Sequence, residues 1–204
     1  MTVASDTPAL VSQAYAAARQ IGFPVSREDP GHDHGSACLP GTGRFLAMLA
    51  AGCRSGRIAE LGTGAGIGAA WMSAAMPADC MLVTTELDPV RANAAATLLA
   101  DDSRVQVLTG DAIELITPHA PFDLIFADYG VRDVETFRVL VGMLRAGGRI
   151  VMDDLTPELA LQAHSPFAAR DAKREMFAAE SRLTWTEVVL PDLANSLLVG
   201  TKSI

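Results

Sequence analysis

Arg57-Ile58-Ala59-Glu60-Leu61-Gly62-Thr63-Gly64-Ala65-Gly66-Ile67-Gly68 is the stretch on which the fold turns. An apolar strand pattern runs into a glycine-rich turn, and a helical pattern follows at once. A carboxylate, Glu60, stands at the end of the strand. A second acid, Glu86, closes the next strand-like segment, Met81-Leu82-Val83-Thr84-Thr85. A glycine turn lets a nucleotide-like ligand press against bare backbone while helix N–H groups point at it. The distal acid can accept hydrogen bonds from a ribose. An adenosine-containing cofactor is the expectation.

Two cofactor classes fit such a turn. Gly64-Ala65-Gly66-Ile67-Gly68-Ala69 matches the dinucleotide fingerprint, with Glu86 near the usual distance. The same residues also read as acid-x-Gly-x-Gly-x-Gly, the turn of enzymes that use S-adenosylmethionine (SAM). Charge separates the two. A carboxylate just before the turn repels a pyrophosphate but suits a ligand that carries an ammonium and a sulfonium. SAM is therefore favoured over NAD, and an NAD-dependent reductase is the distant alternative.

Bulk properties narrow the field. The 204 residues suit a single domain with a full hydrophobic core. The net charge of −8 argues against a protein whose task is gripping nucleic-acid backbone. Cys38, Cys53 and Cys80 are scattered, odd in number and without C-x-x-C spacing, as expected of reduced thiols in a cytoplasm. No signal peptide and no run of membrane-spanning length is visible.

Outward from the turn, strands are expected at 57–61, 81–85, 105–109, 122–127 and 149–152. Helices are expected at 67–76, 89–99, 112–117 and 133–145. Asp88 caps the second of these helices, and Gly147-Gly148 ends the fourth. Alternating strands and helices build a parallel sheet covered on both faces. The tail departs from this pattern: a helix at 167–179, then strands at 183–190 and 196–201 joined by five residues. That loop is too short for a parallel crossover, so the two strands pair antiparallel. Upstream, Thr7 caps a helix from Pro8 to Gln20, and a second helix spans Thr42 to Ala51. Residues 1–56 read as a helical extension or lid on a core at 57–204, all one domain. The polar segment 25–38, with His32-Asp33-His34, reads as a surface loop or active-site lid, with a metal clip as the alternative.

A parallel α/β core closed by an antiparallel hairpin resembles the class I SAM-dependent methyltransferases. Thr42-Gly43-Arg44-Phe45-Leu46, Gly110-Asp111-Ala112, Phe122-Asp123-Leu124-Ile125-Phe126-Ala127-Asp128 and Leu144–Asp154 narrow the likeness to the cation-dependent O-methyltransferases, the group of the catechol and caffeoyl-CoA enzymes. The resemblance covers roughly residues 38–202. It implies a Rossmann-like, seven-stranded mixed sheet of order 3-2-1-4-5-7-6. It also implies that Gly62, Thr63 and Gly64 line the cofactor, that Glu60 faces its methionine amine, and that Gly68 opens the helix beneath. Glu86 takes the ribose, Ala112 lies beside the adenine, and Cys38 supplies a backbone contact.

Asp128, Asp153 and Asp154 fall on that family's three metal ligands. In its strand order the fourth and fifth strands are neighbours, ~5 Å apart, so the three carboxylates meet at the carboxyl end of the sheet. Mutual repulsion among them is relieved by a hard divalent cation such as Mg or Mn. Two departures stand out. Asp154 replaces an Asn, and Val131 replaces a lysine that can act as base. Arg132 stays protonated. Asp128 and Tyr129 are then the catalytic candidates, with His32 and His34 behind them, while His119 and His164 carry no signal. The expected activity is methyl transfer to a hydroxyl of a small, catechol-like acceptor, by a homodimer. A SAM-binding protein without catalysis, suggested by Val131, and methylation of another atom are the alternatives.

Overall fold

The computed structural model describes residues 7–26, 28–30, 37–128, 131, 133–155, 157, 172–190 and 196–204. Seven strands form one sheet: β1 (Arg57–Leu61), β2 (Met81–Glu86), β3 (Val105–Thr109), β4 (Phe122–Ala127), β5 (Leu144–Leu155), β6 (Leu183–Val189) and β7 (Ser196–Lys202). Their order is β3-β2-β1-β4-β5-β7-β6. The first five strands pair in parallel, and β7 runs antiparallel to both β5 and β6. The expected mixed Rossmann-like sheet is present in full.

Strand periodicity sorts the core into two layers. Ile58, Leu82, Leu124 and Phe126 point to one face, which is covered by α1 (Ala9–Gln20), α2 (Pro40–Ala51), α3 (Ile67–Ala75) and α4 (Pro89–Leu99). Ala59, Leu61, Val83, Ile125 and Ala127 point to the other, covered by α5 (Ala112–Ile116), α6 (Val134–Met143) and α7 (Ala172–Ala178). The chain leaves β1 toward β2 and β3, then returns to place β4 and β5 on the opposite side. That reversal opens a crevice at the carboxyl ends of β1 and β4, where ligands of open α/β sheets bind.

Helix α1 buries Val11, Ala14 and Ala18, packing against α3 and α4 of its own chain. Its apolar stripe therefore needs no second copy to cover it. Among the described residues no helix is long and apolar enough to cross a membrane.

Several boundaries differ from expectation. Pro8, not Thr7, is the N-cap of α1, with no side-chain cap; its carbonyl accepts from Ser12 N at 3.1 Å. Helix α2 starts two residues early because Pro40 suits a first turn. Gly147-Gly148 does not stop α6, which ends at Met143. It lies within β5, whose Leu144 already pairs with Phe122. The pairing slips between Phe122 and Leu124, and Gly147 takes φ +76°, so the glycines form a bulge rather than a helix cap. Of the helix expected at 167–179, α7 covers Ala172–Ala178, and 167–171 lie outside the described residues.

Candidate active site

The glycine turn is held by the strand next door. Gly62 N and Thr63 N both donate to Thr85 O, at 3.0 and 2.9 Å. Gly66 caps α3 at φ +90°, a conformation costly to any residue with a Cβ. Glu86 ties this turn to the next one. Its Oε2 accepts from Gly64 N at 2.8 Å and its Oε1 from Asp88 N at 2.9 Å. Asp88 in turn caps α4, as expected, accepting from Val90 N and Arg91 N. Each Glu86 oxygen keeps acceptor capacity for a further donor.

Glu60 is almost wholly buried, at 1% exposure. Its Oε2 accepts from Thr84 Oγ1 at 2.5 Å, and that hydroxyl also lies 2.5 Å from Thr63 Oγ1. Burial pushes the carboxyl up to about 8; the Thr84 bond opposes the shift, and Glu86 and Asp153 add to it. A buried acid in that state is a receptor for a cation, because a bound ammonium restores the ionised form.

Asp128 follows β4, its N–H donating to Leu61 O at 3.1 Å across to β1. Asp153 and Asp154 occupy a second bulge in β5. There Met152 pairs with Leu198 and Leu155 with Ser196, so two residues face Leu197 alone. Bulges of this kind re-aim side chains beside active sites. Asp154 adopts φ +59°, which Asp tolerates better than most residues. One ligand oxygen from each of Asp128, Asp153 and Asp154 lies within 4.8 Å of the others. Burial pushes Asp128 up to about 7, with Asp154 and Glu60 adding to the shift. Asp153 is held well above the usual carboxylate range by burial, then by Asp128 and Asp154. Asp153 Oδ1 is buried without a hydrogen-bond partner. An oxygen-only donor set with an orphaned carboxylate atom fits a hard divalent cation.

A narrow cleft brings together Cys38, Glu60, Gly62, Thr63, Gly64, Gly68 and Asp128. Phe23, Ala37, Ala65 and Ile67 complete its described lining. Glu86 stands behind the turn, and Ala112 opens α5 half-buried; neither lines this cleft. The Cys38 carbonyl accepts from Tyr15 Oη at 2.7 Å. The Cys38 thiol is pushed up by burial and by the surrounding acids, so it stays protonated. Val131 is buried in the core beneath the sheet, which removes it from the chemistry. His119 lies at the far, amino end of β1, where its carbonyl takes the Arg57 guanidinium at 3.0 Å. Tyr129, Arg132, His32, His34 and His164 lie outside the described residues.

Two contributors had no warning in the sequence. Phe23 packs on the glycine turn, with the Arg91 guanidinium 4.9 Å from its ring centre. Lys173 of α7 donates to Asp153 O at 2.6 Å. A wider hollow of about 210 Å³, lined by Arg57, Met81, Gln106 and His119 among others, opens at the amino ends of the strands. It is the wrong end of a parallel sheet for a ligand, and its described lining holds no carboxylate.

The raised carboxyls set a pH dependence. Glu60, at about 8, holds its proton in the fold at pH values where the unfolded chain has lost it. Its stabilising contribution is complete below about pH 4.5 and disappears as pH rises through 8. In EDTA and without ligand, the melting temperature should fall between pH 5 and pH 8.5, by the equivalent of roughly a few kcal/mol. A flat profile would mean that Glu60 is ionised in the free protein.

Residues 43–176 match the family model described as protein-L-isoaspartate(D-aspartate) O-methyltransferase (PCMT). A Mycobacterium avium (strain 104) protein, provisionally named an O-methyltransferase, is 32% identical over 94% of this chain and 91% of its own length. A catechol O-methyltransferase from Niastella koreensis is 36% identical over 57% of each chain. Among solved structures, the O-methyltransferase TomG from Streptomyces achromogenes, in complex with SAM, superposes with a TM-score of 0.73 at 27% identity, covering 100% of this chain and 93% of TomG. A Bacillus cereus O-methyltransferase shares the fold, with a TM-score of 0.74 at 21% identity and coverage of 98% and 94%.

Proposed function

We propose an acceptor class and a site for this chain, which belongs to the SAM-dependent O-methyltransferases of the PCMT family: it methylates a hydroxyl of a small, catechol-like acceptor. The observation that carries this is the acid cluster beside the cofactor cleft. Asp128, Asp153, Asp154 and Glu60 lie at one end of the sheet. That field opposes a carboxylate acceptor and favours a neutral hydroxyl, or a pair of hydroxyls on one cation. The relative named as a catechol O-methyltransferase points the same way.

SAM supplies the methyl group on a sulfonium. The backbone of Gly62, Thr63 and Gly64 would cradle it, Glu60 would hold its ammonium, Glu86 its ribose, and Ala112 would border the adenine. Cys38 and Gly68 would wall the cleft, and Asp128 borders both the cleft and the acid cluster. Asp128, Asp153 and Asp154 would hold Mg or Mn, which lowers the pKa of a hydroxyl it binds. The residues then mainly align acceptor oxygen with methyl carbon. This route needs no lysine base, consistent with Val131 in the core. Tyr129 stays a candidate to take the acceptor's proton.

The same reading makes the chain one functional unit, with 1–56 as an extension over the core at 57–204. Under it the chain works in a reducing cytoplasm, a setting that suits Cys38, Cys53 and Cys80, which are free and buried. A homodimer rests on the family resemblance alone, and a monomer mass in light scattering would remove it.

The test is product analysis with isotope-labelled SAM and a panel of catechols. Methyl ethers are expected. Methyl esters on isoaspartyl peptides, with no ether formed, would overturn the acceptor class. A second test concerns Glu86. Glu86→Ala removes a charged acceptor and loosens two turns, so SAM affinity measured by calorimetry should drop by roughly tenfold to a hundredfold. Unchanged affinity would detach Glu86 from the cofactor.

A further inference from the structure

We propose that Lys173 is the built-in counter-ion of the Asp128–Asp153–Asp154 cluster, a positioning residue that steadies the acids and competes with a divalent cation for them. This rests on reading that cluster as the cation site. The first observation is geometric. The bulge at Asp153-Asp154 takes these residues out of the β5–β7 ladder. The Asp153 carbonyl accepts instead from Lys173 Nζ, at 2.6 Å. A primary ammonium is thereby fixed next to the residue whose carboxyl carries the orphaned oxygen.

The second observation is that α7 is clamped so as to deliver it. Arg174, the next residue, forks onto Glu187 of β6 through Nε at 3.0 Å and a terminal nitrogen at 2.8 Å. Ser196 Oγ lies 2.6 Å from the same Glu187 carboxylate and 3.3 Å from Leu155 O, at the end of β5. Met176 and Phe177 anchor the helix in the core. One network thus joins the start of α7, the hairpin and the bulge. A planar bidentate pair of this kind holds direction as well as distance. The field of Lys173 also lowers both Asp128 and Asp153, against the larger upward push of burial.

An ammonium so placed offsets part of the repulsion among three acids, and it must weaken a divalent ion bound at the same carboxylates. The experiment uses the full chain at pH 8.5 with Lys173→Met, Lys173→Arg, Asp153→Asn and the Lys173→Met/Asp153→Asn pair. Without metal, Lys173→Met should lower the melting temperature by several degrees, and this loss should largely vanish when Asp153→Asn is already present. Lys173→Arg should keep the wild-type value. Calorimetric titration with Mn²⁺ alone should show about tenfold tighter binding to Lys173→Met than to wild type, because a like charge has been removed. SAM affinity should not move. A melting loss of equal size with and without the Asp153 carboxylate would leave Lys173 as a main-chain tether only, overturning the proposal. So would an arginine variant that behaves like the methionine one, or Mn²⁺ binding that is unchanged or weaker in Lys173→Met. Should no form bind Mn²⁺, the cation reading of the cluster falls, and the thermal cycle alone decides the counter-ion role.

Discussion

The Asp153→Asn variant should turn over its acceptor at least about a hundredfold more slowly than wild type, the scale seen when one group that stabilises charge at a reacting centre is removed. Its SAM affinity should stay within about threefold, since the loss is one of turnover and not of cofactor binding. The split follows from where the side chains stand. Asp153 is buried, with one oxygen lacking any partner, and it is not among the described lining of the cofactor cleft. The described residues that line that cleft come from β1, the glycine turn, the start of α3, the N-terminal segment and Asp128. EDTA should reproduce the same pattern, with activity lost and SAM retained, and Mg or Mn should restore it.

Asp154→Asn is the companion measurement. Asp154 is the exposed member of the cluster and holds φ +59°. Asn tolerates that left-handed conformation as well as Asp does, so the backbone should not object. One negative charge is removed while an oxygen donor remains, and activity should survive. Turnover indifferent to EDTA, with Asp153→Asn nearly as active as wild type, would make the three aspartates structural.

Much of this site was legible before any fold was known, but for different reasons at different residues. The ends of β1, β3 and β4 matched because short strand-like runs there are punctuated by Gly, Asp and Pro. Glu60 and Glu86 announced themselves by charge at strand ends. Gly147-Gly148 misled because two glycines serve equally well as a helix stop and as a bulge, and only pairing with β4 distinguishes the two. The meeting of Asp128 with Asp153 and Asp154 depends on β4 lying beside β5. Spacing alone does not state that neighbourhood; it came from resemblance. Lys173 was invisible because nothing in a helical Ala-Lys-Arg-Glu run says which strand end its ammonium will reach. Phe23 was equally silent, since its partner is the bare backbone of a turn some 40 residues on.

The second large effect belongs to Gly68. It lies in the first turn of α3, where alanine would ordinarily help by up to ~1 kcal/mol through lower backbone entropy in the unfolded chain. Here a Cβ would stand 2.2 Å from Glu60 Oε1 and 3.4 Å from Glu60 Cδ, with Phe126 Cε1 at 3.6 Å behind. A carboxylate tip can often swing aside, but this one is 1% exposed and bound to Thr84 at 2.5 Å. Moving it breaks that bond or drives it into the cleft, and overpacking of this kind costs about 1–3 kcal/mol. The clash outweighs the helical gain, so Gly68→Ala should be less stable than wild type. Its SAM affinity should fall at least about tenfold, because the displaced carboxyl is the one that would meet the ligand's ammonium. Gly142→Ala is the control: it lies in α6 with nothing within 4 Å of the added atom, so there the entropy gain should appear unopposed as a higher melting temperature. If Gly68→Ala gained stability as Gly142→Ala does and bound SAM normally, Glu60 would be free to turn away and could not be the group that holds the cofactor.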